Sequence, residues 1–308
     1  MSTGRQAAAV NQTLTNFAAG VAQDRRSALA EFLAPTVRVP ATIGQYKEYD
    51  EKNAFQIYST ARALGGPATR IKFEATDPTF NCKPHALEIP IDDSERDAAG
   101  ESDPLGLEES KIETLVTDVA IAHEDQTLTI IKAGLSAVSA VGVWSDAAND
   151  PIAEIDDQIE AIATACGMMP NAIALGLGAW AVLRHHPKVV ARQPGAQVIG
   201  LSLGQFTSML LNPGIEARVG VLSKDTTKFG KTASKTNIVG AEVFIFLRSD
   251  NPTTYDPSFA KTFMGGTGGI SAVREYRDES ARSDVYAVDF SKDTQVVSTI
   301  AGRRLTIS

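Results

Sequence analysis

The sequence contains few cysteines and no long apolar run. Its 308 residues include only Cys82 and Cys166, which are too few for a disulfide framework or a tetrahedral zinc site, so we expect both to be reduced. The longest apolar stretch, residues 172–183, is well short of the roughly 20 residues that span a membrane. Residues 1–24 hold no apolar core of the signal-peptide type, and we expect cytoplasmic synthesis without membrane attachment.

Clustered positive charge is also missing. Lys and Arg number 29 against 37 Asp and Glu, which gives a formal net charge of -8 without any dense basic run. Because a protein that grips nucleic acid needs clustered Lys and Arg to neutralise phosphates, this activity is disfavoured. The negative net charge does not exclude a protein that encloses DNA, because such a container needs only weak contacts with the DNA that it holds. Hydrophobic residues make up 43% of the chain, as in a folded protein with a sizeable core.

A serine-hydrolase motif lacks the partner that its chemistry needs. Residues 200–204, Gly-Leu-Ser-Leu-Gly, match the nucleophile elbow of serine hydrolases, which holds a serine on a sharp turn. Such a hydrolase needs a histidine after the serine, and all 4 histidines precede Ser202. We predict that Ser202 is not a nucleophile, and that replacing it with alanine changes no measured property.

A dinucleotide-binding pattern is incomplete in a similar way. Residues 176–181, Gly-Leu-Gly-Ala-Trp-Ala, match a relaxed fingerprint between a predicted strand and a predicted helix. No Asp or Glu lies between Ala161 and Ile215 to bind a ribose, and Trp180 would crowd a pyrophosphate. A dinucleotide-dependent oxidoreductase therefore remains only an alternative reading.

Metal-binding patterns also fail on their spacing. Residues 93–97 carry three carboxylates as in a calcium loop, but Ala98 stands where that loop needs glycine and Pro104 where it needs glutamate. His185 and His186 are adjacent, so on a helix they point about 100° apart and cannot hold one metal as an i, i+4 pair would. We expect no catalytic residue, no cofactor and no metal.

A polar segment and a β-hairpin are predicted before the long helices. Residues 1–35 have only a weak helical pattern and predict an arm. Within residues 36–80, alternating apolar and charged residues flank a Gly-Gly-Pro turn at 65–67, which predicts a long hairpin. The hairpin has little core of its own, so we expect it to rest on a neighbour. The side chains expected to make this contact are Phe55, Ile57, Arg62, Arg70 and Phe73.

Helical periodicity is strongest in two segments. Residues 106–132 have no internal Gly or Pro and repeat apolar residues at helical spacing, which predicts a helix of about 39 Å at 1.5 Å per residue. In the second segment, Asn149 or Asp150 is the expected cap of a helix that begins at Pro151, and Gly167 is expected to end it.

Short strands and helices are predicted in the remaining half. The predicted helices are 179–186, stopped by Pro187, and 205–211; the predicted strands are 172–175, 217–222, 239–248, 285–290 and 303–307. We expect the core to come from residues 152–166, 172–175 and 239–247, with little from the arm or hairpin. Deletion of residues 2–32 is therefore expected to leave a folded protein that no longer assembles.

The order of these segments resembles the major capsid proteins of tailed bacteriophages. No single piece is a strict signature, but the ordered set spans most of the chain. The residues that carry the resemblance are Arg62-Ala63-Leu64-Gly65-Gly66 in the hairpin, residues 86–93, the long helix at 106–132, Trp144, Asp150-Pro151-Ile152, Gly167, Pro170-Asn171 and His186-Pro187-Lys188-Val189.

The resemblance implies an α+β fold of the Hong Kong 97-like type. It implies a structural protein, not an enzyme, whose hexamers and pentamers form an icosahedral shell around double-stranded DNA without sequence-specific binding. The implied regions are an amino-terminal arm at 1–35, an extended hairpin loop at 36–80, a peripheral domain with a spine helix at 81–140 and 271–308, and an axial domain at 141–270.

The resemblance also implies a location and partners. The protein is expected in the virion capsid, assembled in the host cytoplasm with a portal and possible cement protein. Because no long helical extension precedes the arm, we expect a separate scaffolding protein and no processed precursor. The alternative within the same fold is the shell of an encapsulin nanocompartment.

Overall fold

The computed structural model is an α+β arrangement of two main sheets and one long helix. It describes residues 9–10, 12–24, 29–48, 76–99, 104–140, 142–192, 200–227, 230–266 and 272–307, with isolated positions between 60 and 70. The helices are α1 (Gln12–Asp24), α2 (Ala30–Leu33), α3 (Asp93–Ala99), α4 (Pro104–Gly134), α5 (Pro151–Cys166), α6 (Leu177–His185), α7 (Pro187–Ala191) and α8 (Leu203–Ser208). A 3-10 turn covers Thr299–Ala301. Among the described ranges, no helix has both the length and the apolar character needed to cross a membrane.

The strands are distributed over the described part of the chain. The strands are β1 (Ala9–Val10), β2 (Thr36–Val39), β3 (Ile43–Gln45), β4 (Thr79–Asn81), β5 (Lys83–Asp92), β6 (Ala137–Ser139), β7 (Ala172–Gly176), β8 (Glu216–Gly220), β9 (Ser223–Asp225), β10 (Lys235–Asn237), β11 (Glu242–Phe246), β12 (Ala260–Gly265), β13 (Val273–Asp278), β14 (Ser283–Val296) and β15 (Gly302–Thr306).

The first main sheet is built around the 14-residue strand β14. Its order is β1-β13-β14-β12-β2, and β5 also pairs with β14. Residues 283–288 of β14 pair with β13 and β5 at once, so these two strands lie on opposite sides of it. Strand β2 runs parallel to β12, whereas the other pairs are antiparallel.

Helix α4 covers this sheet and is longer than the predicted helix at 106–132. Its 31 residues span about 46 Å at 1.5 Å per residue. The predicted apolar positions are confirmed, since all of them are buried against the sheet or α1. The shared core contains Ile112, Leu115, Val116 and Val119 of α4, Tyr286 and Val288 of β14, and Leu14 and Ala18 of α1.

The second main sheet has the order β6-β15-β11-β7-β8 and packs on α5. Every residue of β7 is buried. Asp150 caps α5, because its side chain accepts a hydrogen bond from the Ala153 amide, and Gly167 ends the helix with a left-handed φ of 69°. The predicted boundaries of α5 are confirmed at both ends, because helix caps are encoded by neighbouring residues.

The sheets cross the expected domain boundaries. Strand β12 lies within residues 141–270 but pairs with β2 and β14 of the first sheet. Strand β15 lies within residues 271–308 but pairs with β11 and β6 of the second sheet. These pairings join residues that are far apart in sequence, so local patterns do not reveal them.

The expectation that the arm contributes little to the core is wrong. Leu29 is fully buried, and Phe32 and Leu33 are each 1% exposed, in a core cluster shared with α4, β7, β11 and β12. Leu14 is buried on α4. The segment is short and rich in alanine, and its larger apolar residues form no recognisable periodic face. The buried ones that the structure describes nevertheless contact distant elements.

Several predicted elements have different bounds. Pro187 ends α6 as expected, but it also begins α7, because proline is favoured at the first helical position. The strand predicted at 285–290 is the centre of β14, and the one predicted at 217–222 stops at Gly220. Strands β5, β12 and β13 and helix α3 were not predicted from the sequence.

Candidate assembly interface

The predicted hairpin has a well-formed base. Strand β3 pairs antiparallel with β4, and Glu48 bridges Thr76, so two chain segments leave the body side by side. Phe80 of β4 stacks on Phe263 of β12, with ring centroids 4.5 Å apart. A Cβ atom on Gly44 would lie 2.5 Å from the Phe80 ring. Only glycine therefore fits beneath the ring that fastens the hairpin to the first sheet.

The predicted contact residues of the hairpin are only partly within the described residues. Arg62 and Arg70 are described and exposed, and a turn at Leu64 and Gly65 separates them. Gly65 has a φ of 80°, which favours glycine. The other predicted contact residues, Phe55, Ile57 and Phe73, lie outside the described residues.

Strand β5 presents a long edge. It has ten residues, most of them exposed, and pairs with β14 along its whole length. In the part of the chain that the structure describes, no strand pairs with its other edge. Pro84 and Pro90 lie in it, and proline is confined to edge strands because it lacks an N–H group. An unpaired edge of this length can add a strand from another chain.

The amino-terminal segment is fastened to α4 by a buried carboxylate. Glu124 is fully buried, and its Oε2 accepts a hydrogen bond of 2.6 Å from the Leu29 amide. Burial raises the pKa of Glu124 to about 7, against the opposing effect of backbone hydrogen bonds from Leu29 and Ala30. The ring of Phe32 nearby lies under the guanidinium groups of Arg218, at 4.5 Å, and Arg248, at 5.0 Å.

A second buried polar group lies between β5, β14 and α4. Lys292 Nζ is 2.6 Å from His123 Nδ1, and both residues are nearly inaccessible, at 5% and 7% exposure. His85 of β5 stacks on Phe290 of β14 with centroids 5.6 Å apart. A cavity of about 120 Å³ adjoins these rings.

The residues of the apparent catalytic motifs have structural roles. Ser202 is the N-cap of α8. Its hydroxyl accepts a hydrogen bond from the Gln205 backbone N–H, and the Gln205 side-chain oxygen accepts one from the Ser202 backbone N–H. A Cβ atom on Gly176 would lie 1.9 Å from the Gly240 carbonyl oxygen, so close backbone packing explains this glycine. His186 caps α7 by accepting a hydrogen bond from the Lys188 amide.

Metal-binding side chains do not converge within the described ranges. No group of three His, Cys, Asp or Glu side chains in these ranges is placed to hold a metal ion. Asp93, one of the three carboxylates in the calcium-loop pattern rejected above, forms an ion pair with Arg277, which lowers the pKa of Asp93. The acidic segment is thereby joined to β13.

Relatives with curated names are phage proteins, although no family model matches the chain. The major capsid protein of Burkholderia phage BcepMu is 24% identical over 263 residues, which cover 82% of each chain. The major capsid protein of Pseudomonas phage JBD67 is 26% identical over 175 residues, or 54% of each chain. A solved phage-related protein from Bordetella bronchiseptica is 23% identical, covers 97% of each chain and has a TM-score of 0.73.

Solved shells have the same fold. The capsid of cyanophage P-SCSP1u has a TM-score of 0.55 at 10% identity and covers 90% of this chain and 86% of that one. The chain is a capsid protein with the Hong Kong 97-like fold. This capsid protein has the expected α+β class, and its role is structural. An encapsulin from Synechococcus elongatus shares the fold, with a TM-score of 0.55 at 10% identity over 99% of this chain and 92% of that one.

Proposed function

We propose that this capsid protein assembles with copies of itself, as hexamers and pentamers, into the icosahedral head shell of a tailed phage. The shell encloses the double-stranded DNA genome. The observation that carries the proposal is the similarity over 82% of the chain to a curated phage major capsid protein. The long edge of β5 supports it, because among the described residues no strand pairs with the outer side of β5 and such an edge can pair with another chain.

The hairpin is proposed as a contact between neighbouring subunits, through Phe55, Ile57, Arg62, Arg70 and Phe73. The exposure of Arg62 and Arg70 supports this proposal. The peripheral domain is proposed to comprise residues 81–140 and 271–308, and the axial domain residues 141–270. Strand pairing favours moving β12 to the peripheral group, and β6 and β15 to the axial group.

The surroundings of the shell are part of the proposal. Assembly takes place in the host cytoplasm with a separate scaffolding protein and a portal. The outer surface of the shell is available to a cement protein. The net charge of -8 supports a container that holds DNA weakly and without sequence preference. Catalysis is not part of this function, and the capping role of Ser202 supports that view. An encapsulin shell has the same fold, but the curated relatives favour the phage.

Electron microscopy of the purified protein tests the function. We expect closed shells of uniform diameter when the chain is produced with its neighbouring phage genes. Replacing Arg62 and Arg70 together with aspartate should prevent closure, because it reverses two charges on the proposed contact. The matched control replaces both with lysine and should still close. Subunits that remain monomeric under all of these conditions would refute the proposal, and a co-purified enzyme cargo would favour an encapsulin.

A further inference from the structure

Lys292 is a buried cation that has no carboxylate partner among the described residues. Its Nζ lies 2.6 Å from His123 Nδ1 and 5.8 Å from the centre of the Phe290 ring. Lys261 is also buried, but its Nζ has three partners: Asp256 Oδ1 at 2.7 Å and two backbone carbonyls within hydrogen-bonding distance. The same chain therefore contains one satisfied buried lysine and one that lacks a counter-charge.

The ionisable groups that interact with Lys292, His123 and His85, are both basic. Burial lowers the pKa of Lys292 to about 8, and no carboxylate opposes this shift. Burial, followed by the charges of Lys292 and His85, lowers the pKa of His123 to about 3. The pKa of His85 is lowered by burial and by Lys292 and Lys83. At neutral pH a mostly charged ammonium thus lies against a neutral imidazole.

The contact with Lys292 determines the tautomer of His123. An ammonium group only donates hydrogen bonds, so Nδ1 of His123 must be the acceptor. The proton of the neutral ring is then on Nε2. His123 consequently presents an N–H donor on the side away from Lys292, and the donor is polarised by the charge behind it.

The cavity beside His123 is small and reaches the surface. Its volume of about 120 Å³ is well above the ~10–15 Å³ that one water needs, which leaves room for one short side chain. His85, His123, Gln126 and Phe290 line it together with two small apolar side chains of α4, Val119 and Ala122. Ala86 and Leu87 of β5 also line it and are exposed, so an incoming chain can reach it.

We propose that this cavity receives the carboxylate of an Asp or Glu side chain from a second copy of this protein. The carboxylate accepts a hydrogen bond from Nε2–H of His123, and Lys292 supplies the balancing charge. One cation matches one carboxylate, and the apolar lining suits its methylene stem. With 37 acidic against 29 basic residues, each copy carries an excess of carboxylates. This inference rests on the proposed function, since it needs subunits that assemble.

Lys292→Met tests the proposal because it removes the charge and keeps most of the length of the unbranched side chain. An unmatched buried cation destabilises the free subunit, so K292M should melt at the same or a higher temperature than the wild type. The protein concentration needed for shell formation should nevertheless rise by about tenfold. In the matched control Lys261→Met, Asp256 loses its partner, and the melting temperature should fall.

The outcomes separate the two proposals. K292M that assembles at the wild-type concentration, or that melts at a lower temperature, would overturn the inference alone. Wild-type protein that forms no shells would overturn the proposed function and this inference with it. Acetate added to ¹⁵N-histidine-labelled wild-type subunits should shift the His123 Nε2 signal and inhibit assembly. A shift without inhibition would show that the cavity binds a free carboxylate instead of a second copy, against the proposal.

Discussion

The Glu124 carboxylate, in the middle of α4, accepts a hydrogen bond from the Leu29 amide at 2.6 Å. The two residues are 95 positions apart in sequence, and both are fully buried. One acidic side chain thus fixes the point at which the amino-terminal segment enters the core. Its own charge makes that attachment sensitive to pH.

The pH dependence of unfolding should contain a contribution from Glu124. Folding raises its pKa from 4.5 to about 7, so this contribution is fully present below pH 4.5 and is lost as pH rises through about 7. The loss is roughly 3 kcal/mol, because about 2.5 pKa units correspond to 1.36 kcal/mol each. Glu124→Gln removes the titration and keeps an acceptor for Leu29. Denaturant unfolding at pH 5 and pH 8 measures this: between these pH values the wild type should lose more stability than the Gln variant. If both proteins lose the same amount, the prediction is contradicted.

Phe32→Ala should destabilise the subunit strongly. The ring is 1% exposed and packs edge-on against Phe246 at 5.4 Å, and replacing a core phenylalanine with alanine costs about 3–5 kcal/mol. Guanidinium unfolding measures the loss, and Glu31→Ala on the exposed side of α2 should change stability by less than about 0.5 kcal/mol. Deletion of residues 2–32 removes the buried side chains of Leu29 and Phe32 from the core, so it should unfold the protein, in contrast to the expectation from sequence. A folded, soluble deletion product would refute this.

Gly44→Ala should loosen the base of the hairpin. The new Cβ would lie 2.5 Å from the Phe80 ring, and overpacking of this kind costs about 1–3 kcal/mol. Gly20→Ala in α1 is the control: nothing lies within 4 Å of its Cβ position, and alanine favours a helix by roughly 1 kcal/mol over glycine. Thermal melting should therefore shift in opposite directions for the two variants. A Gly44 variant as stable as wild type would mean that Phe80 can move aside freely.

Ser202→Ala should weaken α8 without affecting any chemistry. Loss of an N-cap hydroxyl costs about 1 kcal/mol, which corrects the expectation that the change is silent. Ser202→Asp retains a capping oxygen and should recover most of the loss. Wild-type protein should not react with a fluorophosphonate probe; labelling at Ser202 would restore the hydrolase reading.

Local features of the sequence predicted local features of the fold. Helix α5 was predicted with its cap and its end, because Asp150, Pro151 and Gly167 act on adjacent backbone. The burial of Leu29 depends on α4 and was not predicted. Strand β5 was missed because its two prolines and exposed side chains hide the alternation typical of strands.

The candidate interface was predicted less completely than the fold. The turn at Gly65 was predicted because glycine favours the left-handed backbone that such a turn uses, whereas most residues on the two sides of the predicted hairpin lie outside the described residues. The unmatched charge of Lys292 was not, because it depends on which side chains three separate elements bring together. A lysine in a strand carries no sign in the sequence that it will be buried next to a histidine 169 positions away.

The chain passes between the two main sheets three times, after residues 134, 246 and 296. Force applied to one sheet of a subunit is therefore divided among three backbone connections in parallel, in addition to the apolar core shared by both sheets. A pressurised container made of such subunits should not tear between the sheets. Mechanical failure should begin at the hairpin base, where β3 and β4 form a separate two-stranded sheet in the described part of the chain.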